Sequence, residues 1–208
     1  LYFMLGLPTE TDEDVAAIAE LVNKIVYCWR QNATNKKRRL SINLATAFFV
    51  PKPFTPFQWE KQTSPEEYLR RVHLLQSCLT ARGVDYRYHE SDLSRLEAVL
   101  ARGDRRLSKV LLRAHELGCK LDGWDEYFRY DLWMQAFSDC GVDPEFYTTR
   151  GFEEDEILPW QKIDIGVSWD FFLRERALAY QSVTTPDCRT KCAGCGARSL
   201  SERGVCDE

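Results

Sequence analysis

Apolar residues in the first ninety positions fall into two kinds of pattern. "LYFMLGLP" is a short aromatic and branched run closed by Pro8, as expected of a strand. Thr11 to Asp14 then has the capping-box form of a helix start. Beyond it Val15, Ile18, Ala19, Val22, Ile25, Val26 and Trp29 recur at three- and four-residue intervals, which predicts one apolar helix face lying on a sheet. "QNATNKKRRL" breaks the pattern, and "SINLATAFFV" reads as an interior strand, β-branched and aromatic along its length. "PKPFTPFQWEKQT" is predicted to be a loop, because its prolines cannot donate to a ladder. Ser64-Pro65-Glu66-Glu67 restarts a helix with an N-cap, a first-turn proline and a third-position glutamate, and Gly83 is expected to end it. "VDYRYH" is a third strand. The order β-α-β-α-β favours a parallel sheet with right-handed crossovers, either half of an α/β barrel or an open sheet.

From Ser91 the pattern is helix after helix. "SDLSRLEAVLA", "RRLSKVLLRAHELG", "WDEYFRYDLWMQAFSDCG" and "SWDFFLRERALAYQ" each carry an apolar stripe with a polar flank. The stretch from about Thr184 is rich in Cys, Gly, Arg and Ser and has too few apolar residues to fold without a ligand. The expected organisation is therefore an α/β unit over 1–90, a helical extension over 91–183 and a Cys-rich metal-binding tail over 184–208.

Composition narrows the classes. The 208 residues are 44% hydrophobic and 29% charged, ordinary values for a globular chain that can bury a core unaided. No apolar run approaches the roughly 18 residues of a membrane span. A formal charge of -4 argues against broad attraction to nucleic acid. Of the eight cysteines, Cys28, Cys78, Cys119 and Cys140 are scattered through helix-like segments while the others crowd the tail, which reads as a cytoplasmic protein with metal at its end rather than a disulfide scaffold. The chain opens on Leu1 and enters a strand directly, as a fragment beginning mid-protein would.

Several stretches carry candidate chemistry. "YFMLGLPTET" sets a glycine at a strand end, where parallel α/β sheets bind ligands, although a helix-capping turn accounts for it equally. "VPKPFTPFQW" offers Lys52, Thr55, Gln58 and Trp59 on a proline-stiffened loop, as ligand contacts or as a lid over the sheet. "ARGDRRLSKV" places Asp104 to cap a helix and Arg102, Arg105 and Arg106 to grip an anion or a neighbouring domain. "NKKRR" reads as a solvated turn after a helix end. His73, His89 and His115 have no ligand spacing, and His73 and His115 are expected to point outward. The strongest local signal is Cys188, Cys192 and Cys195, which with Cys206 could complete a four-thiolate shell for zinc or an iron-sulfur cluster.

Taken in order, "YFMLGLPTETDED", "FFVPKPFTPFQWE", "ARGDRRL", "GCKLDGWDEYF" and "LPWQKIDIGVSWDFFLRERALA" with the cysteine tail resemble the C-terminal part of a radical S-adenosylmethionine protein. The match is to a bacterial family in which a cobalamin-binding-like domain precedes the radical barrel. The resemblance implies the C-terminal half of a partial (β/α)6 radical SAM barrel followed by the helical extension and tail, the N-terminal half of the same protein being the missing partner. It also implies S-adenosylmethionine and a 4Fe-4S cluster in the intact protein, with use of cobalamin left open. In that superfamily the cluster cysteines follow the first barrel strand. Cys188, Cys192 and Cys195 come after every barrel element, and Gly194 stands where the pattern has an aromatic. The tail is thus expected to be an accessory zinc or auxiliary iron-sulfur site, and this chain alone to be inactive. By matching positions, Gly6, Pro8 and Glu10 would lie against the cofactor, and Val50, Pro51 and Lys52 would line the same cavity. The competing reading is a non-catalytic, metal-stabilised module, RNA-associated through Arg102, Arg105, Arg106 and the tail. No substrate is implied.

Overall fold

The computed structural model describes residues 1–35 and 37–197. Strand β1 (Tyr2–Leu5), helix α1 (Asp12–Asn32), strand β2 (Ile42–Phe48), helix α2 (Pro65–Cys78) and strand β3 (Val84–Tyr88) follow one another, and the strands form a parallel sheet in the order β1-β2-β3. Tyr2 pairs with Ala45 and Leu5 with Phe48, while Ile42 pairs with Val84 and Thr46 with Tyr88. Both helix starts are fixed by the residues the sequence singles out. Thr11 and Asp14 close a reciprocal capping box, and the Ser64 hydroxyl accepts the Glu67 N–H ahead of Pro65.

Val15, Ile18, Val22 and Val26 of α1 and Tyr68, Val72 and Leu75 of α2 cover one face of the sheet, against Leu5, Ile42, Leu44 and Phe48. The Phe48 and Tyr68 rings stack at 4.1 Å and 4°. Each such fully buried aliphatic or aromatic side chain contributes about 1.5–3 kcal/mol. Because strand side chains alternate, Tyr2, Met4, Asn43, Asp85 and Arg87 point to the opposite face, and all of them are exposed. Parallel sheets are ordinarily buried on both faces. Here the described residues leave most of one face open, with Tyr2 64% and Met4 41% exposed.

Gly83 does not terminate α2, which stops at Cys78. It sits instead at φ +85°, where an added Cβ would lie 2.7 Å from the Leu40 carbonyl oxygen, and its own carbonyl accepts the Ile42 N–H. Its requirement is close backbone approach at the start of β2, not helix termination.

The helical half contains α3 (Ser91–Arg102), α4 (Leu107–Leu117), α5 (Tyr130–Asp139), α6 (Glu145–Thr148) and α7 (Trp169–Tyr180). Leu96, Val99, Leu107, Val110, Trp133 and Phe137 build a second core from α3, α4 and α5. Helix α5 starts six residues after Trp124, because the preceding chain is spent on turns whose N–H groups bond to Leu121 and Trp124 carbonyls. The short α6 is not apparent from the sequence pattern. A third core joins Trp59 from the proline-rich loop to Phe152, Leu158, Trp160 and Phe172. The loop therefore packs with the helical half as well as with the sheet. Among the described residues no helix is long and apolar enough to cross a membrane.

Candidate functional site

Residues at the carboxyl end of β1 are held by a buried ion pair. Gly6 takes φ +90°, and its N–H donates to Glu10 Oε2 at 2.8 Å. The same oxygen accepts from Arg71 Nη1, while Arg71 Nε donates to Glu67 Oε1 at 2.9 Å. The Glu10 and Arg71 side chains are only 6% and 14% exposed. Burial raises the Glu10 carboxyl above the ordinary glutamate range, and the Gly6 N–H and the Arg71 guanidinium only partly counter it. Glu10 thus ties the end of β1 to α2. A Cβ on Gly6 would meet Thr63 and Phe48 side chains at 3.2 and 3.3 Å, so the close approach there is the protein's own packing.

Beside this turn lies a cavity of about 190 Å³ lined by Gly6, Leu7, Pro8, Lys61, Arg71 and Tyr180, with Glu60 at its wall. Glu60 is engaged by Arg176, whose Nε donates to Oε1 at 2.7 Å, and Arg176 also holds Glu154 at 2.6 Å. Lys61, also on the lining, has no carboxylate partner among the described residues. Tyr180 brings α7 to the site, and its ring meets Phe57 edge-on at 6.3 Å.

The loop residues fall elsewhere. Val50 and Pro51 are buried and do not line this cavity, nor does Lys52, which pairs with Glu97 of α3. Thr55 donates to the Lys52 carbonyl at 2.8 Å. Gln58 and Trp59 are core residues, with Gln58 Oε1 accepting from Trp160 Nε1 at 2.7 Å and from the Phe54 N–H at 3.1 Å. Gln62 Nε2 donates to the carbonyls of Phe49 and Ser94, pinning the loop to the sheet and to α3. The loop acts as a packed strut.

Arg102 is withdrawn from solvent entirely. Its guanidinium lies 4.1 Å over the Phe152 ring and reaches the Thr148 and Arg150 carbonyls at 3.5 and 3.4 Å. Burial lowers its pKa to about 10. Arg106 is bound to Asp104 at 2.6 Å, and Asp104 accepts the Arg106 N–H rather than capping α4 by the usual side-chain bond. An RNA or anion grip through this trio would have only Arg105 exposed and without a carboxylate partner among the described residues. His73 and His115 are exposed, as expected.

In the tail, Cys188 and Cys192 are exposed and Cys195 is half-buried, and Cys206 lies outside the described residues. No three potential metal ligands converge among the described residues. Two backbone N–H groups nevertheless reach sulfur there: Gly194 N–H to Cys192 Sγ and Ala197 N–H to Cys195 Sγ, both at 3.4 Å. Gly194 and Gly196 take φ +65° and +93°, and the Cys195 carbonyl accepts the Ser168 N–H at 2.8 Å, docking this segment at the start of α7.

Sequence reasoning missed Arg71, Lys61 and Tyr180. Arg71 carries a signal, since it stands four residues after Glu67 on α2, but its second partner is remote in sequence. No family model matches the chain. An uncharacterized protein of Methanocaldococcus jannaschii is 28% identical over 142 residues, covering 68% of this chain. The chain spans only 29% of that protein's length. No solved structure matches.

Proposed function

We propose that this chain is a sector of a radical S-adenosylmethionine enzyme, contributing three strands of its barrel and one wall of the cofactor site. The observation supporting this most directly is the one-sided sheet: three parallel strands carry helices on one face and expose much of the other, and a cavity lies at the glycine turn after β1. Substrate sites of α/β barrels lie at that carboxyl end. The cavity's roughly 190 Å³ falls short of the ~300–1,000 Å³ typical of a ligand pocket, so it fits one part of such a cofactor and not the whole. Lys61 would face a carboxylate of the ligand, and Gly6 and Pro8 would shape the floor. Arg71 and Glu10 would hold that floor rather than bind. The chemistry that such a cofactor and its 4Fe-4S cluster would supply is hydrogen abstraction from a substrate. On this reading the cluster ligands would come from residues outside this chain.

We also propose a second metal, zinc or an auxiliary iron-sulfur cluster, at Cys188, Cys192 and Cys195, with Cys206 as fourth ligand. The two N–H groups that reach the Cys192 and Cys195 sulfurs support this. The test is anaerobic reconstitution of the product of the complete reading frame with S-adenosylmethionine and a strong reductant. Release of 5'-deoxyadenosine is expected from the complete product and none from this chain alone. A complete product with no C-x3-C-x2-C array upstream would end the proposal.

A further inference from the structure

At the amino end of the strands, opposite the cavity just described, the surface is built differently. A groove of about 550 Å³ runs between the end of α1, the approach to β2 and the turn before β3, floored by Val26 and Leu40 and walled by Trp29. Arg30, Arg38, Arg39 and Arg82 converge on it from three separate stretches of chain. A smaller cavity of about 300 Å³ shares Val26, Arg30 and Arg82 and extends the same depression.

These arginines are exceptional in this protein. Arg70, Arg71, Arg106, Arg113, Arg150 and Arg176, among others, each meet a carboxylate within 4.0 Å. Arg102 is satisfied in the core. Among the described residues the four groove arginines have neither a carboxylate partner nor an aromatic ring beneath them. Like charges brought together without counter-charge lower stability. A cluster drawn from three segments is therefore better accounted for by an external anion than by the fold.

From this geometry we infer that the groove binds a small ligand carrying two or more phosphate charges beside a flat apolar group, of the nucleoside diphosphate type. Guanidinium forks match phosphate oxygens in bidentate fashion. The Trp29 indole with Val26 and Leu40 supplies the apolar surface that a ring needs, and the groove volume lies within the range of small-molecule sites. Among the described residues, four of the five exposed arginines without a carboxylate partner are gathered at one groove rather than spread along a stripe, and the chain carries a net charge of -4, which favours a compact ligand over an extended nucleic acid. The site does not depend on the function proposed for the carboxyl end of the sheet.

Isothermal titration of the chain with ADP, inorganic pyrophosphate, adenosine and a 20-nucleotide single-stranded RNA tests this. ADP is expected to bind more tightly than pyrophosphate and far more tightly than adenosine. Arg38→Ala with Arg82→Ala should weaken ADP about tenfold or more, as loss of hydrogen bonds to a charged group does. Trp29→Leu should weaken ADP while leaving pyrophosphate unchanged. Arg105→Ala, another arginine without a carboxylate partner but outside the groove, should change nothing. Absence of ADP binding at millimolar concentration, or equal weakening by Arg105→Ala, would overturn the inference. So would RNA binding more than a hundredfold tighter than ADP that the groove variants abolish, since the surface would then serve an extended polyanion. A shared melting temperature among the variants excludes misfolding as the cause.

Discussion

The two ends of the sheet use the same residue type for opposite purposes. At the carboxyl end Arg71 is closed between Glu10 and Glu67, Arg70 between Asp12 and Glu67, and Arg176 between Glu60 and Glu154. At the amino end four arginines face one groove with no carboxylate to meet them among the described residues. Local sequence does not distinguish the two sets, since Glu66 and Glu67 precede Arg70 while Asp85 follows Arg82 at a similar remove. What separates them is tertiary: α2 lays its arginines along the turn after β1, whereas Arg82 leaves the helix for a turn where no acid among the described residues folds back. A guanidinium that the fold satisfies is part of the structure, and one that it leaves open is available to a ligand.

The largest expected effect tests that distinction directly. Arg71→Met leaves the Glu10 carboxylate buried with only the Gly6 N–H to hold it, and removing one partner of a buried pair costs about 3–5 kcal/mol. Arg38→Ala with Arg82→Ala should stay within about 0.5 kcal/mol of the parent, as surface substitutions do. Urea denaturation followed by circular dichroism measures both. Similar losses in the two variants would erase the contrast between the ends.

Arg102 sharpens the contrast from a third position, buried yet without a carboxylate. Its two carbonyl contacts are long, and much of its worth lies in packing over Phe152. Arg102→Ala should cost about 2–4 kcal/mol through the cavity left in the core, and Arg102→Met, which restores most of the volume without the buried charge, should recover more than half of that. Equal losses in Arg102→Ala and Arg102→Met would make the charge, not the packing, the stabilising element.

How far the sequence reveals all this depends on whether a partner is near in the chain. Helices α1 and α2 are legible because their caps and apolar stripes are local, and the parallel sheet follows from the alternation of strand and helix. Gly83 misleads because a glycine that permits backbone approach to Leu40 looks the same as one that ends a helix. The proline-rich loop misleads for a longer-range reason. Gln58 and Trp59 look like ligand contacts until Trp160 arrives from 102 positions away to bury them. Gly6 and Pro8 line one cavity together with Arg71, which the sequence did not reveal, while Glu10 accepts the Gly6 N–H and Val50 to Lys52 are not on that lining. The basic turn was visible as "NKKRR", yet the groove appears only when Arg30 and Arg82 fold beside it.

The smallest effect concerns acid, and its sign separates Glu67 from Glu10. Hydrogen bonds from Arg70, and then from Arg71, bring the Glu67 pKa down to about 2 against an ordinary 4.5. A carboxyl whose folded value is depressed adds stability above its unfolded value and loses it as pH falls toward the folded one, so the Glu67 contribution should fade between about pH 4.5 and 2. Glu10 runs the other way. Its folded value is raised by burial, so the folded state binds its proton more readily than the unfolded state does, and acid does not weaken the fold through it. Glu67→Gln should therefore lower the urea midpoint at pH 7, narrow the gap to wild type at pH 4 and nearly close it at pH 2.5. If the gap stays constant across those three values, the Arg70 and Arg71 contacts to Glu67 contribute nothing in solution, and the closed network at the carboxyl end reduces to Glu10 and Arg71.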